Sequence, residues 1–255
     1  MPSVNISNVD GIGVVRIDNP SARNALTLRM YDDIRAYVER AGEHGVKALL
    51  ITGNEQAFAS GTAISEFTSF SSAEDGVRYE ASFEAVLMAV SNCAVPTLAA
   101  MSGACTGGGA AIAAACDFRI STASLRFGFP IARTLGNCLS IGNLRRLVAL
   151  VGLGRAQEMM LRAKLLTAED ALACGLVTEL VDPGDLVSRG LNILQDVARL
   201  SPLSVAASRE GFRRLDEAFY AEISETLIRR CYGSKDFQEG VAAFLEKRPP
   251  VWQGT

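Results

Sequence analysis

The residues from Pro96 to Asp117, PTLAAMSGACTGGGAAIAAACD, hold the pattern with the clearest chemical use. Three consecutive glycines, Gly107, Gly108 and Gly109, stand where an alanine-rich helix should open. Inside a helix each glycine costs roughly 1 kcal/mol against alanine, so something has to offset them. A helix start without side chains leaves unpaired N–H groups facing outward, with the positive end of the helix dipole behind them. Such a backbone can hold a negative oxygen. The same glycines would also let the helix nest closely against a sheet, and the residues alone leave both readings open. Neither standard phosphate cradle fits, because no Gly-Lys-Ser/Thr follows and the spacing is not that of a dinucleotide site.

The elements around this stretch must position it. No charged side chain lies between Glu84 and Asp117, but Asn92, Pro96, Ser102, Thr106 and the glycines argue against a membrane-spanning helix. The stretch reads as an extended segment from Thr97 to Met101, a turn at Ser102-Gly103 and a helix opening near Gly107. Upstream, Val4 to Val9 and Ile12 to Ile17 form a hairpin about Asp10-Gly11. Thr27 caps a helix from Leu28 to about Ala41, and Lys47 to Thr52 is a buried strand. Ser72 caps a helix reaching about Val90, with Glu80 and Glu84 four residues apart. Phe118 to Ser121 and Leu125 to Phe129 are further strands. Beyond Pro130 helices dominate: Leu139 to Val151, Arg155 to Arg162, and Ala168 to Cys174. A strand ending at Val181 follows, then helices from Pro183 to Leu200, from Pro202, from Asp216 to Arg230 and from Lys235 to Lys247. The fold class is α/β, with strand pairs and crossover helices first and helices after.

Composition bounds the function. A chain of 255 residues, 49% hydrophobic and 21% charged, is an ordinary globular protein. A net charge of −3 gives no electrostatic support to nucleic-acid binding. Six cysteines in apolar surroundings, with no C-x-x-C pair, read as thiols of a reducing compartment rather than disulfides or metal ligands. The first residues show no basic region followed by an apolar stretch, so the cytoplasm is the expected location. The single histidine, His44, falls in a polar turn. A Ser-His-Asp triad would have to use it, and no multi-histidine metal site can be built.

The chain resembles the crotonase superfamily, the enoyl-CoA hydratase/isomerase group, over nearly its whole length. NPSARNAL (Asn19 to Leu26) is similar to that family's N-P-x-x-x-N-A-L, and FASGTAI (Phe58 to Ile64) to its F-x-A-G-A-D-L loop. SGACTGGGAAIAAACD resembles its glycine-rich segment, FGFPIARTLG its F-x-x-P-E-x-x-x-G, and LVGLGRAQEM, LLTAEDALACGLV and DFQEGVAAFLEKR its later helices. The resemblance implies a spiral of strand-strand-helix units over residues 1–195 and a helical trimerisation region over 196–255, giving homotrimers or hexamers. It implies an acyl-CoA thioester substrate, with coenzyme A as the substrate's carrier and no bound cofactor or metal, and neither nucleic acid nor membrane as partner. Carried over by position, the Thr62 and Gly108 amides would hold the thioester oxygen as it becomes anionic. Arg23, Ala25, Ala63, Ile64, Ser65 and Gly107 would line the substrate, Arg23 towards the coenzyme's phosphates.

The departures from the pattern concern chemistry. Hydratases of this family carry one glutamate on the glycine-led helix and a second just after the proline of the next loop. Here those positions are Ala111 and Ile131, and Ala63 stands where an aspartate is usual. Adding water across a double bond needs a group to activate water and one to protonate the α-carbon. Alanine and isoleucine do neither. Three accounts follow. Other groups could act as acid and base, from the loop Arg133 to Cys138 or from Glu80 and Glu84. A decarboxylation of a malonyl-type thioester needs only the two amides, with Asn137 and Arg133 orienting the carboxylate. Or the chain binds acyl-CoA without turning it over.

Overall fold

The computed structural model describes residues 1–214, 225, 228, 229 and 231–253. Strands β1 (Ser3–Val9) and β2 (Ile12–Asp18) form the expected hairpin, with Asp10 and Gly11 both at positive φ in the turn. Strands β3 (Ala48–Thr52), β5 (Thr97–Met101) and β7 (Phe118–Ser121) then add in parallel, giving the order β1-β2-β3-β5-β7. A second sheet holds β4 (Ala57–Ala59), β6 (Ala104–Thr106), β8 (Arg126–Gly128) and β9 (Leu166–Thr167) in that order. Each crossover unit thus sends its first strand to the larger sheet and its second to the smaller.

Every residue of β3 and of β5 is buried, as expected for central parallel strands read as continuous apolar runs. The helices are α1 (Leu28–Glu39), α2 (Ala73–Ser91), α3 (Gly108–Ala115), α4 (Ile131–Thr134), α5 (Ile141–Val151), α6 (Leu153–Leu161), α7 (Ala168–Ala173), α8 (Leu186–Val197), α9 (Pro202–Arg214) and α10 (Lys235–Leu245). The Thr27 hydroxyl accepts from Met30 N at 3.2 Å, capping α1. Ser72 and Asp75 form a capping box on α2. A larger apolar core joins the two sheets to α1, α2 and α3, and a smaller one seals α8 against the other face of the five-stranded sheet through Leu50, Leu98, Ile120 and Leu194.

Strand β8 falls inside the one expected over Leu125 to Phe129, whereas β4, β6 and β9, two or three residues long among mostly small or loop residues, escape a sequence reading. The strand expected to end at Val181 does not form. That segment does run beside β7, with Thr178 N donating to Arg119 O and Val181 N to Ser121 O. The Arg119 guanidinium takes the Leu176 carbonyl at 2.9 Å, and only the Ser121–Leu180 pair remains as a rung. The helix expected over Asp216 to Arg230 lies mostly outside the described residues.

Candidate active site

The site is built where β4 and β6 end. Their parallel pairing, Ala57 with Ala104 and Ala59 with Cys105, carries the chain out of both strands side by side. Beyond β4 come Gly61 and Thr62, and beyond β6 come Gly107 and Gly108. A side chain on Gly107 would meet Gly61 Cα at 3.4 Å, and one on Gly61 would lie 3.9 Å from Gly108 N. The two loops are therefore in van der Waals contact. Gly107 has φ +52°, which β-carbon-bearing residues rarely adopt, and its N–H donates to Gly128 O.

The segment NPSARNAL fixes the first loop from behind. Asn24, fully buried at φ +55°, donates from its amide to Ala57 O at 2.9 Å and accepts from Asn19 N at 2.9 Å and Asn54 Nδ2 at 3.2 Å. Asn19 Nδ2 in turn donates to Ala25 O at 2.7 Å. This places Leu26 alongside the loop, where its N–H donates to Gly61 O and its carbonyl accepts from Ala63 N, each at 2.8 Å. In such a parallel pair the central residue of the second strand spends neither of its own main-chain groups. The N–H of Thr62 therefore faces away from Leu26. Gly108 opens α3 ahead of the first helical bond, Ala111 N to Gly107 O, so its amide has no helical acceptor.

Two tyrosines close over this junction. The Thr62 hydroxyl bonds the Tyr79 hydroxyl at 2.6 Å and that of Tyr31 at 2.9 Å. A β-carbon on Gly108 would overlap the Tyr31 hydroxyl, and one on Gly109 would overlap the Ala59 carbonyl. Of the two readings left open for the glycines, close packing is seen at Gly109, while Gly108 has a first-turn amide with no helical acceptor. Burial pushes the phenols of Tyr31 and Tyr79 upward, so both stay protonated. Tyr31, Tyr79, Phe83 and Val86 also line a cavity of about 290 Å³ between α1 and α2, rimmed by Asp32, Asp75 and Arg78. No sequence signal marks these tyrosines, since hydroxyls on two separate helices meet Thr62 only through the fold.

Ala111 and Ile131, the positions of the missing glutamates, are buried in the apolar core. Carboxyl groups instead come from α2. Glu80 is only 5% exposed. Its Oε1 accepts from the Tyr232 hydroxyl at 2.6 Å, and Tyr232 accepts from Asn137 Nδ2 at 2.9 Å. Burial, with a smaller push from Glu84, raises Glu80 from 4.5 to about 7 although the Tyr232 hydrogen bond opposes it. One turn on, Glu84 accepts from Arg146 at 2.5 Å and from the Ser140 hydroxyl at 3.2 Å.

The other anticipated residues divide. Ala63 and Gly107 join the junction directly. Ala25 and Ile64 are half-buried beside it, and Ser65 is exposed at the start of the following turn. Arg23 is exposed at φ +50°, and Arg133 is exposed on α4. Asn137 is drawn to Tyr232 and Glu80, with its Oδ1 buried and unpartnered. Among the described residues no group of three or more His, Cys, Asp or Glu could hold a metal ion, and no helix is long and apolar enough to cross a membrane.

Strand-strand-helix units that alternate between two sheets and set the Thr62 and Gly108 loops side by side define a protein of the crotonase superfamily. The model of the enoyl-CoA hydratase/isomerase family matches residues 7–255, and the chain belongs to that family. It is 32% identical over 246 residues to a short-chain-enoyl-CoA hydratase of Clostridium acetobutylicum, covering 93% of this chain and 92% of that protein. A crystal structure of an enoyl-CoA hydratase/isomerase from Pseudoalteromonas atlantica superposes with a TM-score of 0.84 at 29% identity, over 98% of this chain and 99% of that one. A methylmalonyl-CoA decarboxylase in complex with 2-nitronate-propionyl-CoA superposes with a TM-score of 0.89. At 24% identity, over 99% of this chain and 98% of that one, this likeness speaks for the fold alone.

Proposed function

We propose that the chain binds an acyl-CoA thioester and stabilises its enolate between the amides of Thr62 and Gly108. The observation that carries this reading is the parallel pairing of Leu26 with Thr62, which leaves the Thr62 N–H turned away from Leu26 in a loop that touches Gly107 and Gly108. Two fixed donors aimed at one oxygen stabilise charge only as it develops, an effect worth about 3–4 kcal/mol per donor in comparable acyl-transfer sites. The names of its relatives support an enoyl-CoA substrate, and hydration or isomerisation of an enoyl-CoA is the reaction class this reading favours. Arg23, Ala25, Ala63, Ile64, Ser65 and Gly107 would line the thioester and its carrier, in a cytoplasmic homotrimer or hexamer.

Acetoacetyl-CoA tests this directly, because its enolate absorbs where the keto form does not. Saturating protein should raise the enolate band at fixed pH, while free coenzyme A should compete for binding without producing a band. Tight binding with no rise in the band would leave the two amides without a role.

A further inference from the structure

We infer that Glu80 and Glu84 together form the acid–base pair that moves protons to and from the substrate of this chain, in place of carboxyls at Ala111 and Ile131. The inference rests on the thioester reading above. The first ground is direction. Glu80 and Glu84 stand one turn apart on α2, and both bond away from their own helix. Glu84 meets Ser140 and Arg146, at the start and middle of α5. Glu80 reaches Asn137 through Tyr232, and Asn137 follows Gly136, whose N–H closes on the carbonyl of Ile131. Glu84 therefore meets α5 directly and Glu80 reaches Asn137 through Tyr232, within ten residues of Ile131, where the family pattern would put its second glutamate.

The second ground is inequality. Arg146 gives the Glu84 carboxylate a cation, and part of the Glu84 side chain remains open to water. Around Glu80 stand Tyr232, Glu84, the free Cys138 thiol hydrogen-bonded to that of Cys231, and, further off, Tyr31 and Tyr79. Among the described groups it faces no cation. Two neighbouring carboxyls in such unlike surroundings, one against a cation and one buried without, are the arrangement from which a base and an acid are drawn. The third ground is the buried Asn137 Oδ1, which has no protein partner and sits on the network that ends at Glu80.

The step balances without a co-reactant. The Glu84 carboxylate takes the proton on C2 of the thioester, forming an O–H bond as the C–H bond breaks. The electron pair forms the C1–C2 double bond, and the negative charge comes to rest on the oxygen at Thr62 and Gly108. Returning a proton from Glu80 or from Glu84 to carbon reverses the flow. A buried, partner-matched carboxyl of this kind contributes typically 10²–10⁴-fold to such a transfer, by the general behaviour of acid–base catalysts.

Deuterium uptake at C2 of butyryl-CoA in heavy water, read by mass spectrometry on the full chain, tests the assignment. Wild-type protein should exchange the position. Glu84→Gln should slow exchange by about 100-fold or more while butyryl-CoA still binds, and Glu80→Gln should flatten the pH profile of exchange. Should Glu80→Gln not fold, Tyr232→Phe keeps the carboxyl but removes the hydrogen bond that favours its ionised form. It should then move the profile's midpoint upward, which a structural role for Glu80 would not do. Binding without exchange in the wild type, or exchange surviving in the Glu80→Gln/Glu84→Gln double variant, overturns this assignment alone. Failure to bind any acyl-CoA overturns the thioester reading and the assignment with it.

Discussion

Tyr79, on the helix that follows the first site loop, returns its hydroxyl to that loop and bonds Thr62 Oγ1 at 2.6 Å. Seventeen residues separate the two in sequence, and the contact fixes how far the Thr62 amide can swing from Gly108. Tyr31 reaches the same oxygen from α1 at 2.9 Å, so Thr62 is held from two helices at once.

Tyr79→Phe leaves the Tyr31 bond in place and should cost about 1 kcal/mol of folding stability, the ordinary net worth of one hydrogen bond. Thr62→Val takes their shared partner from both phenols, leaving them only each other, while keeping the Thr62 N–H, and should cost more, about 2 kcal/mol. Urea unfolding gives the ranking. The enolate band of bound acetoacetyl-CoA should weaken in both, because the donor is present but less well placed.

Adjacent glycines should respond differently to alanine. At Gly109 the new carbon meets Ala59 backbone atoms, which cannot move without breaking β4. At Gly108 it meets the tip of the Tyr31 side chain, which can. Gly109→Ala should therefore cost about 3 kcal/mol or prevent folding, and Gly108→Ala about 1–2 kcal/mol. Tyr31→Phe should recover part of the second loss and none of the first, a difference a double-mutant cycle measures.

Glu80 gives the stability a pH dependence of definite sign. Its folded value of about 7 exceeds the 4.5 of an unperturbed glutamate, so the folded chain binds more protons between those limits. The stabilisation is complete below about pH 4.5 and is lost as pH rises through 7. On this account the wild type should lose on the order of 3 kcal/mol between pH 4.5 and 8 relative to Glu80→Gln, which lacks the titration. Thermal or urea unfolding of both chains across that range tests it, and parallel curves would contradict it.

Asn24→Ala removes a side chain that satisfies Ala57 O and Asn19 N in a fully buried position, and does so where φ is +55°. The combined loss should be about 3 kcal/mol. Asn24→Gly tolerates that backbone and should cost less than Asn24→Ala. Hydrogen exchange should show the opening at the amides of Leu26 and Ala63, which bridge this segment to the Thr62 loop.

Much of this architecture could be read from residue patterns. Long apolar runs marked β3 and β5, capping residues marked the starts of α1 and α2, and the glycine triplet marked the start of α3. Of the small sheet only β8 could be read, within Leu125 to Phe129, because β4, β6 and β9 are too short to show a period. The pairing of the Thr62 and Gly108 loops follows from that sheet, so composition alone would not have found it; the resemblance did. In the sequence Glu80 shows only as a helix residue four positions before Glu84. Its burial depends on Tyr232, 152 positions away, and no local pattern reports a contact of that range.

That contact also ties the state of Glu80 to a distant residue. The ring of Tyr232 packs so closely on Gly76 that any β-carbon there would overlap it, and the same residue caps Glu80. Whatever lifts Tyr232 off Gly76 therefore also uncovers Glu80, and its carboxyl then moves back towards ordinary acidity. Both sheets and both site loops are built without Tyr232, so this burial can be lost while the rest of the fold stands.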